Sequence, residues 1–247
     1  MKIIYLILIA LILRFGAMYF YDRPIRSDGL EYYNNSKELT ITDNKYGYDH
    51  WYERTPAYVL YLHLTQRNIY VQILISVLTG LLAFQIHPAM GWIYCFYPNH
   101  IALSYQYYKE TLLIFFVVLI IRFMKEKPLE CYILLMLAIL PFQSFGGVLD
   151  FNFAKSQGYT WNMWKMWSPS FLPVLQYGEW WNYLLALPYL IIMFLFIRRV
   201  EIISWPFLFV LSVSLCYAFT CGSPRYKEIL FPAILYIIFK EQKWKRV

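Results

Sequence analysis

Of the 247 residues, 60% are hydrophobic, 21% aromatic and 15% charged, with a mean hydropathy of +0.44, whereas a globular domain is about half apolar and a quarter charged. Positions 68 to 108 contain no Asp, Glu, Lys or Arg, a run about twice the roughly 20 residues that cross a bilayer; this excludes a disordered chain and a soluble enzyme with its own nucleotide-binding domain, for which no glycine-rich phosphate loop is left over. The net charge of +7 sits at the ends of apolar runs rather than in an aromatic-interleaved stripe, which argues for membrane orientation and against nucleic acid as a partner.

In chain order, Lys2 precedes an apolar stretch from Ile3 to Leu13, and the bulky continuation to Tyr21 offers no small-residue cleavage site, so the first segment reads as an uncleaved span. Gaps between charges then predict spans at 69–86, 89–106, 107–124, 129–148, 180–197, 202–220 and 226–239. The expected fold is therefore an all-α polytopic membrane protein of about eight transmembrane helices, one domain over 1–247. With the N-terminus cytoplasmic, the short inner segments hold ten basic and four acidic residues, while the outer segments balance; both termini then face the cytoplasm. Arg14, inside the first span, requires a partner or a polar cavity.

Two outer loops follow from this topology, 22–55 and 146–179, each expected to carry a short interfacial helix. The first holds seven of the fifteen acidic residues. The second carries Trp161, Met163, Trp164 and Trp167 at three- to four-residue spacing, which suits an amphipathic helix in the interface or an aromatic platform for a sugar. The cysteines Cys95, Cys131, Cys216 and Cys221 show no metal-ligand spacing and no disulfide framework. His50, His63, His87 and His100 form no helical pair, and no histidine metal site is proposed.

Four places on the outer face carry chemistry. Asp28 and Glu31 stand three apart, so in a helix both carboxylates share a face and one can accept a proton from an attacking hydroxyl; solvated loop charges are the alternative. Arg54, before Pro56, can hold a phosphate by paired hydrogen bonds or snorkel to headgroups. Lys109 and Glu110, where two spans meet, are either a wet turn or a functional pair. Arg225 and Lys227 open the last span as phosphate ligands or as interface anchors.

Taken in order, these pieces resemble the GT-C glycosyltransferases, in particular the branch with dolichyl-phosphate-mannose protein mannosyltransferases and bacterial aminoarabinose transferases, as a minimal-length member. The motifs are Leu13 to Phe15 closing the first span, the acidic loop with Asp28, Glu31 and Tyr32, and the return Arg54-Thr55-Pro56-Ala57-Tyr58. They continue with Phe96-Tyr97-Pro98, Lys109-Glu110-Thr111-Leu112, and Arg225-Tyr226 before a helix with Pro232. The resemblance implies inverting transfer of a sugar from a polyprenyl-phosphate donor to a glycan, lipid or protein acceptor on the outer face of a bacterial inner membrane. Asp28 would be the base with Glu31 its neighbour or substitute, and Arg54, Lys109, Glu110, Arg225, Tyr226 and Lys227 would form the donor site. A divalent cation is compatible with Asp28 and Glu31, since hard cations take carboxylate oxygens, but the spacing does not demand one. The competing readings are a membrane glycan polymerase or ligase, and a small transporter with a midplane site.

Overall fold

The computed structural model describes residues 2–20, 28–39, 56–139, 181–200, 204–218 and 227–240. Among them there are eleven helices and no strand: α1 (Lys2–Phe20), α2 (Asp28–Glu38), α3 (Pro56–Leu64), α4 (Ile69–Ile86), α5 (Pro88–Phe96), α6 (Pro98–Ser104), α7 (Glu110–Met124), α8 (Pro128–Ile139), α9 (Trp181–Arg199), α10 (Trp205–Ala218) and α11 (Lys227–Phe239). Two stretches, Ile3–Phe20 and Ile69–Ile86, are long and apolar enough to cross a membrane. The Trp-rich segment of the second outer loop lies outside the described residues.

Local chemistry sets the boundaries. Proline opens α3, α5, α6 and α8, where its missing N–H costs nothing and its fixed φ suits the first turn. Asn68 caps α4 by accepting a 3.0 Å bond from the Tyr70 amide, and His87 caps α5 through Nδ1, 3.2 Å from the Ala89 amide. The expected single span at 89–106 is in fact two helices. Pro98 holds Tyr97 in extended backbone, φ −68° and ψ 116°, because the ring crowds the residue before it out of the α region. The next helix likewise begins at Glu110 rather than at 107, after a turn over 105–109.

Contacts fix the relative directions. At one end, Arg122 Nε of α7 donates to Gln85 of α4 at 3.2 Å, and His87 stacks on Phe239 of α11 with centroids 4.8 Å apart. At the other end, Thr111 of α7 donates to the Leu103 carbonyl at 2.9 Å, the Gln72 amide of α4 donates to the same carbonyl at 3.0 Å, and Phe15 of α1 meets Tyr70 at 6.0 Å. So α4, α7 and α11 run one way, and α1 and the α5–α6 pair run the other. Around this centre, α8 packs on α7 and α10, α10 on α11, and α9 on α11.

The interior is mainly apolar, with Tyr58, Ile73, Leu113, Val117 and Ile234 among its buried residues, but apolar side chains also cover the outside and several polar ones lie within. Ile12, Leu74, Leu137 and Ile197 are half or more exposed, whereas Arg14, Gln72, His100, Glu110 and Glu228 are buried. At the α4–α5 crossing there is no room for a side chain: a Cβ on Gly91 would lie 2.4 Å from Phe84 Cβ.

Candidate functional site

The backbone of Asp28 opens α2, so the part of the expected first outer loop from Asp28 to Glu38 is helical and Asp28 and Glu31 are one turn apart. The Asp28 side chain lies outside the described set. Tyrosines dock α2 onto the bundle. Tyr32 meets Tyr58 of α3 edge-on at 4.9 Å, and Tyr33 meets Tyr107 of the 105–109 turn at 5.5 Å. The α3–α4 turn is clamped against the same helix. Arg67 donates to the Ser36 carbonyl at 3.2 Å, and its own carbonyl accepts from the Tyr107 hydroxyl at 2.6 Å. His63 Nδ1 also lies 2.9 Å from the Ser36 carbonyl. These bonds hold Gln66 and Arg67 at φ 52° and 59°, a left-handed conformation that costs about 1–2 kcal/mol per non-glycine residue and persists only where its surroundings enforce it.

Lys109 and Glu110 are not a wet turn: they are 7% and 1% exposed. Tyr58 of α3 lies within electrostatic range of Glu110. Neither carboxylate oxygen of Glu110 has a hydrogen-bond partner among the described residues, although its charge acts on the Tyr58 phenol. That phenol donates to Gln72 Oε1 at 2.6 Å, and the Gln72 amide is held by the Leu103 and Gln106 carbonyls. Tyr61 stacks on Tyr58 at 5.6 Å; burial pushes its phenol up to about 12, so it remains an O–H donor at neutral pH.

A second buried carboxylate escaped the sequence reading. Glu228, in the first turn of α11, accepts a 2.6 Å bond from Asn99 Nδ2 and lies 3.3 Å from His100 Nε2, at ion-pair distance but out of line for a hydrogen bond. The His100 ring is stacked on Tyr94 at 4.6 Å and edge-on to Tyr97 and Phe231 at 5.0 Å. Beside it, Ser76, Thr79, Tyr94, His100, Leu103, Thr111 and Ile114 enclose about 10 Å³, room for about one water. Arg14 completes this interior. Its guanidinium donates to Ser76 Oγ at 2.8 Å and to the Ala10 and Tyr94 carbonyls at 3.2 Å each, which is the partner set the sequence required. The only sequence signal for Asn99 and His100 is that they are a polar pair directly after the Pro98 break in an otherwise ion-free stretch.

The structure thus brings Glu31, Lys109 and Glu110 to one end of the bundle, with the first turn of α11 at the same end. Arg54, Arg225 and Tyr226 lie outside the described residues, as does the side chain of Lys227. Among the described residues no group of three or more His, Cys, Asp and Glu is close enough to hold a metal ion. Comparison with known proteins adds no name to this arrangement: no family model, no curated protein and no solved structure matches the chain.

Proposed function

We propose that the chain is a multi-pass membrane glycosyltransferase with eight spans and both termini cytoplasmic, moving a sugar from a polyprenyl-phosphate donor to an acceptor on the outer face. The observation that carries the reading is the docking of α2. The acidic first loop and the Lys109-Glu110 corner, about 80 positions apart in the chain, meet at one end of the bundle through the Tyr32–Tyr58 and Tyr33–Tyr107 contacts. Two membrane-length apolar helices and the outward-facing aliphatic side chains support membrane insertion.

In the proposed reaction the Asp28 carboxylate takes the proton of an acceptor hydroxyl while that oxygen attacks the anomeric carbon. The bond from the anomeric carbon to the phosphate oxygen breaks, and its electron pair leaves with the phosphate, inverting the centre. Arg54, Lys109, Arg225 and Lys227 are the candidate cations for the departing charge. The test is transfer from radiolabelled polyprenyl-phosphate sugars by the purified chain in nanodiscs. General-base assistance is worth about 10²- to 10⁴-fold, so Asp28→Asn lowers turnover by that order while donor binding is retained. Turnover kept in Asp28→Asn and lost in Glu31→Gln moves the base to Glu31.

A second reading, a small-solute transporter, is favoured by one observation: Arg14, His100 and Glu228 are buried inside the bundle, where transporters place ionisable groups. Solute uptake into liposomes with no sugar transfer from any donor establishes it instead.

A further inference from the structure

The hydrogen bonds on the wall of the small central pocket specify what fits it. Ser76 and Thr79 of α4, Tyr94 of α5, His100 of α6 and Thr111 of α7 all line a space of about 10 Å³, and all five are buried. A molecule the size of water placed there is within reach of each of them. The threonine protons are already committed: Thr79 donates to the Ile75 carbonyl at 2.8 Å and Thr111 to the Leu103 carbonyl at 2.9 Å. Their oxygens therefore have lone pairs left and no proton to give. Ser76 and Tyr94 are the complement. Ser76 Oγ accepts from Arg14 Nε and keeps its own proton, while the Tyr94 hydroxyl and both ring nitrogens of His100 have no hydrogen-bond partner among the described residues. The wall thus offers donors and acceptors together. A metal cation takes only the lone pairs and would sit beside the Arg14 guanidinium. Chloride takes only the donors and is larger than water. A water molecule uses both sets, and buried waters make about two to four hydrogen bonds to polar groups that the chain itself leaves unpaired.

We infer that this pocket binds one internal water, which joins Ser76 to Tyr94 and His100. The bond from Arg14 to Ser76 then continues through the water to His100, 3.3 Å from Glu228, and from Glu228 to Asn99. Two polar clusters that share no direct bond become one network, to which α1, α4, α5, α6, α7 and α11 all contribute. The inference depends on neither the glycosyltransferase nor the transporter reading, because it concerns interior groups and no substrate.

Two measurements test it. The first is the sign of a stability change: removing a buried hydroxyl that has a partner destabilises, whereas removing one left unpaired is neutral or stabilising. Tyr94→Phe keeps the ring that stacks on His100 and should lower the thermal midpoint in nanodiscs by about 1–6 °C, the reading of one ordinary hydrogen bond in a chain of this size. An unchanged or raised midpoint overturns the inference. The second is a high-resolution structure of the wild-type chain, in which one solvent peak should lie within hydrogen-bond distance of the Tyr94 hydroxyl and a His100 ring nitrogen. The wild-type peak decides the matter if Tyr94→Phe does not fold. An empty pocket overturns the inference even if the midpoint falls. So does anomalous signal at the site after exposure to rubidium or bromide salts, which would make it a cation or an anion site instead.

Discussion

Gly91→Ala is the sharpest test of how α4 and α5 meet. The added Cβ would lie 2.4 Å from Phe84 Cβ, 2.7 Å from Phe84 Cα and 3.0 Å from the Gly80 carbonyl oxygen. Two of these three atoms are backbone, so no rotamer change relieves the clash. Restoring an ordinary carbon–carbon contact of about 3.5–4.0 Å requires the helices to part by about 1 Å or more, and overpacking of this kind costs about 1–3 kcal/mol. At about 2–4 °C per kcal/mol for a chain of this size, the midpoint should fall by about 2–12 °C. Gly80→Ala is the control. Its Cβ would meet Tyr94 Cβ at 3.8 Å and the Gly91 carbonyl oxygen at 4.0 Å, both ordinary contacts, and alanine favours the helix by about 0.5–1 kcal/mol over glycine. Thermal melts of both variants in one lipid nanodisc make the comparison. If Gly91→Ala melts as high as Gly80→Ala, the close crossing is wrong, and with it the placement of Tyr94 beside Arg14 and His100.

Three further outcomes are expected. Ser76→Ala removes the 2.8 Å acceptor of Arg14 Nε and should cost about 1–3 kcal/mol; a double-mutant cycle with Arg14→Met should show coupling, and additivity would disprove the bond. Asn99→Ala removes the 2.6 Å donor to the Glu228 carboxylate and should lower stability by about 1.5–3 kcal/mol, the scale of a hydrogen bond to a charged group, as read by thermal melt; an unchanged midpoint contradicts the clamp. In a background free of native cysteines, Lys45→Cys should be labelled by an impermeant maleimide from outside and Lys125→Cys should be protected in intact cells; the reverse pattern would invert the topology and remove every outer-face assignment.

Helix positions were legible in the sequence for a simple reason. Charges and prolines punctuate the chain, so the gap from 69 to 86 coincides with α4, and the segment expected at 226–239 is α11, starting at Lys227. Where the reading missed, a local effect was overlooked: Pro98 splits one apolar run into α5 and α6, and that break turns Asn99 and His100 toward α11. The interior was less legible because its partners are distant in the chain. Asn99 and Glu228 are 129 positions apart, and no spacing rule links them; Glu228 alone looks like an ordinary charge at a helix start. Lys109 and Glu110 were visible as candidates, but their burial is a property of the packed bundle, and the group nearest to Glu110 electrostatically, Tyr58, is about 50 positions away.

The hydrogen bonds of Arg14 carry a consequence for how the chain is made. On insertion scales an arginine at the centre of a spanning helix costs about 2.5–3.5 kcal/mol, and α1 alone offers it only the Ala10 carbonyl. The other two partners, Ser76 and the Tyr94 carbonyl, are synthesised 62 and 80 residues later. At about 5–20 residues per second, the nascent α1 waits on the order of 4–16 seconds before its arginine is satisfied. During that interval it is a poorly committed span, and the arrival of α4 and α5 completes it.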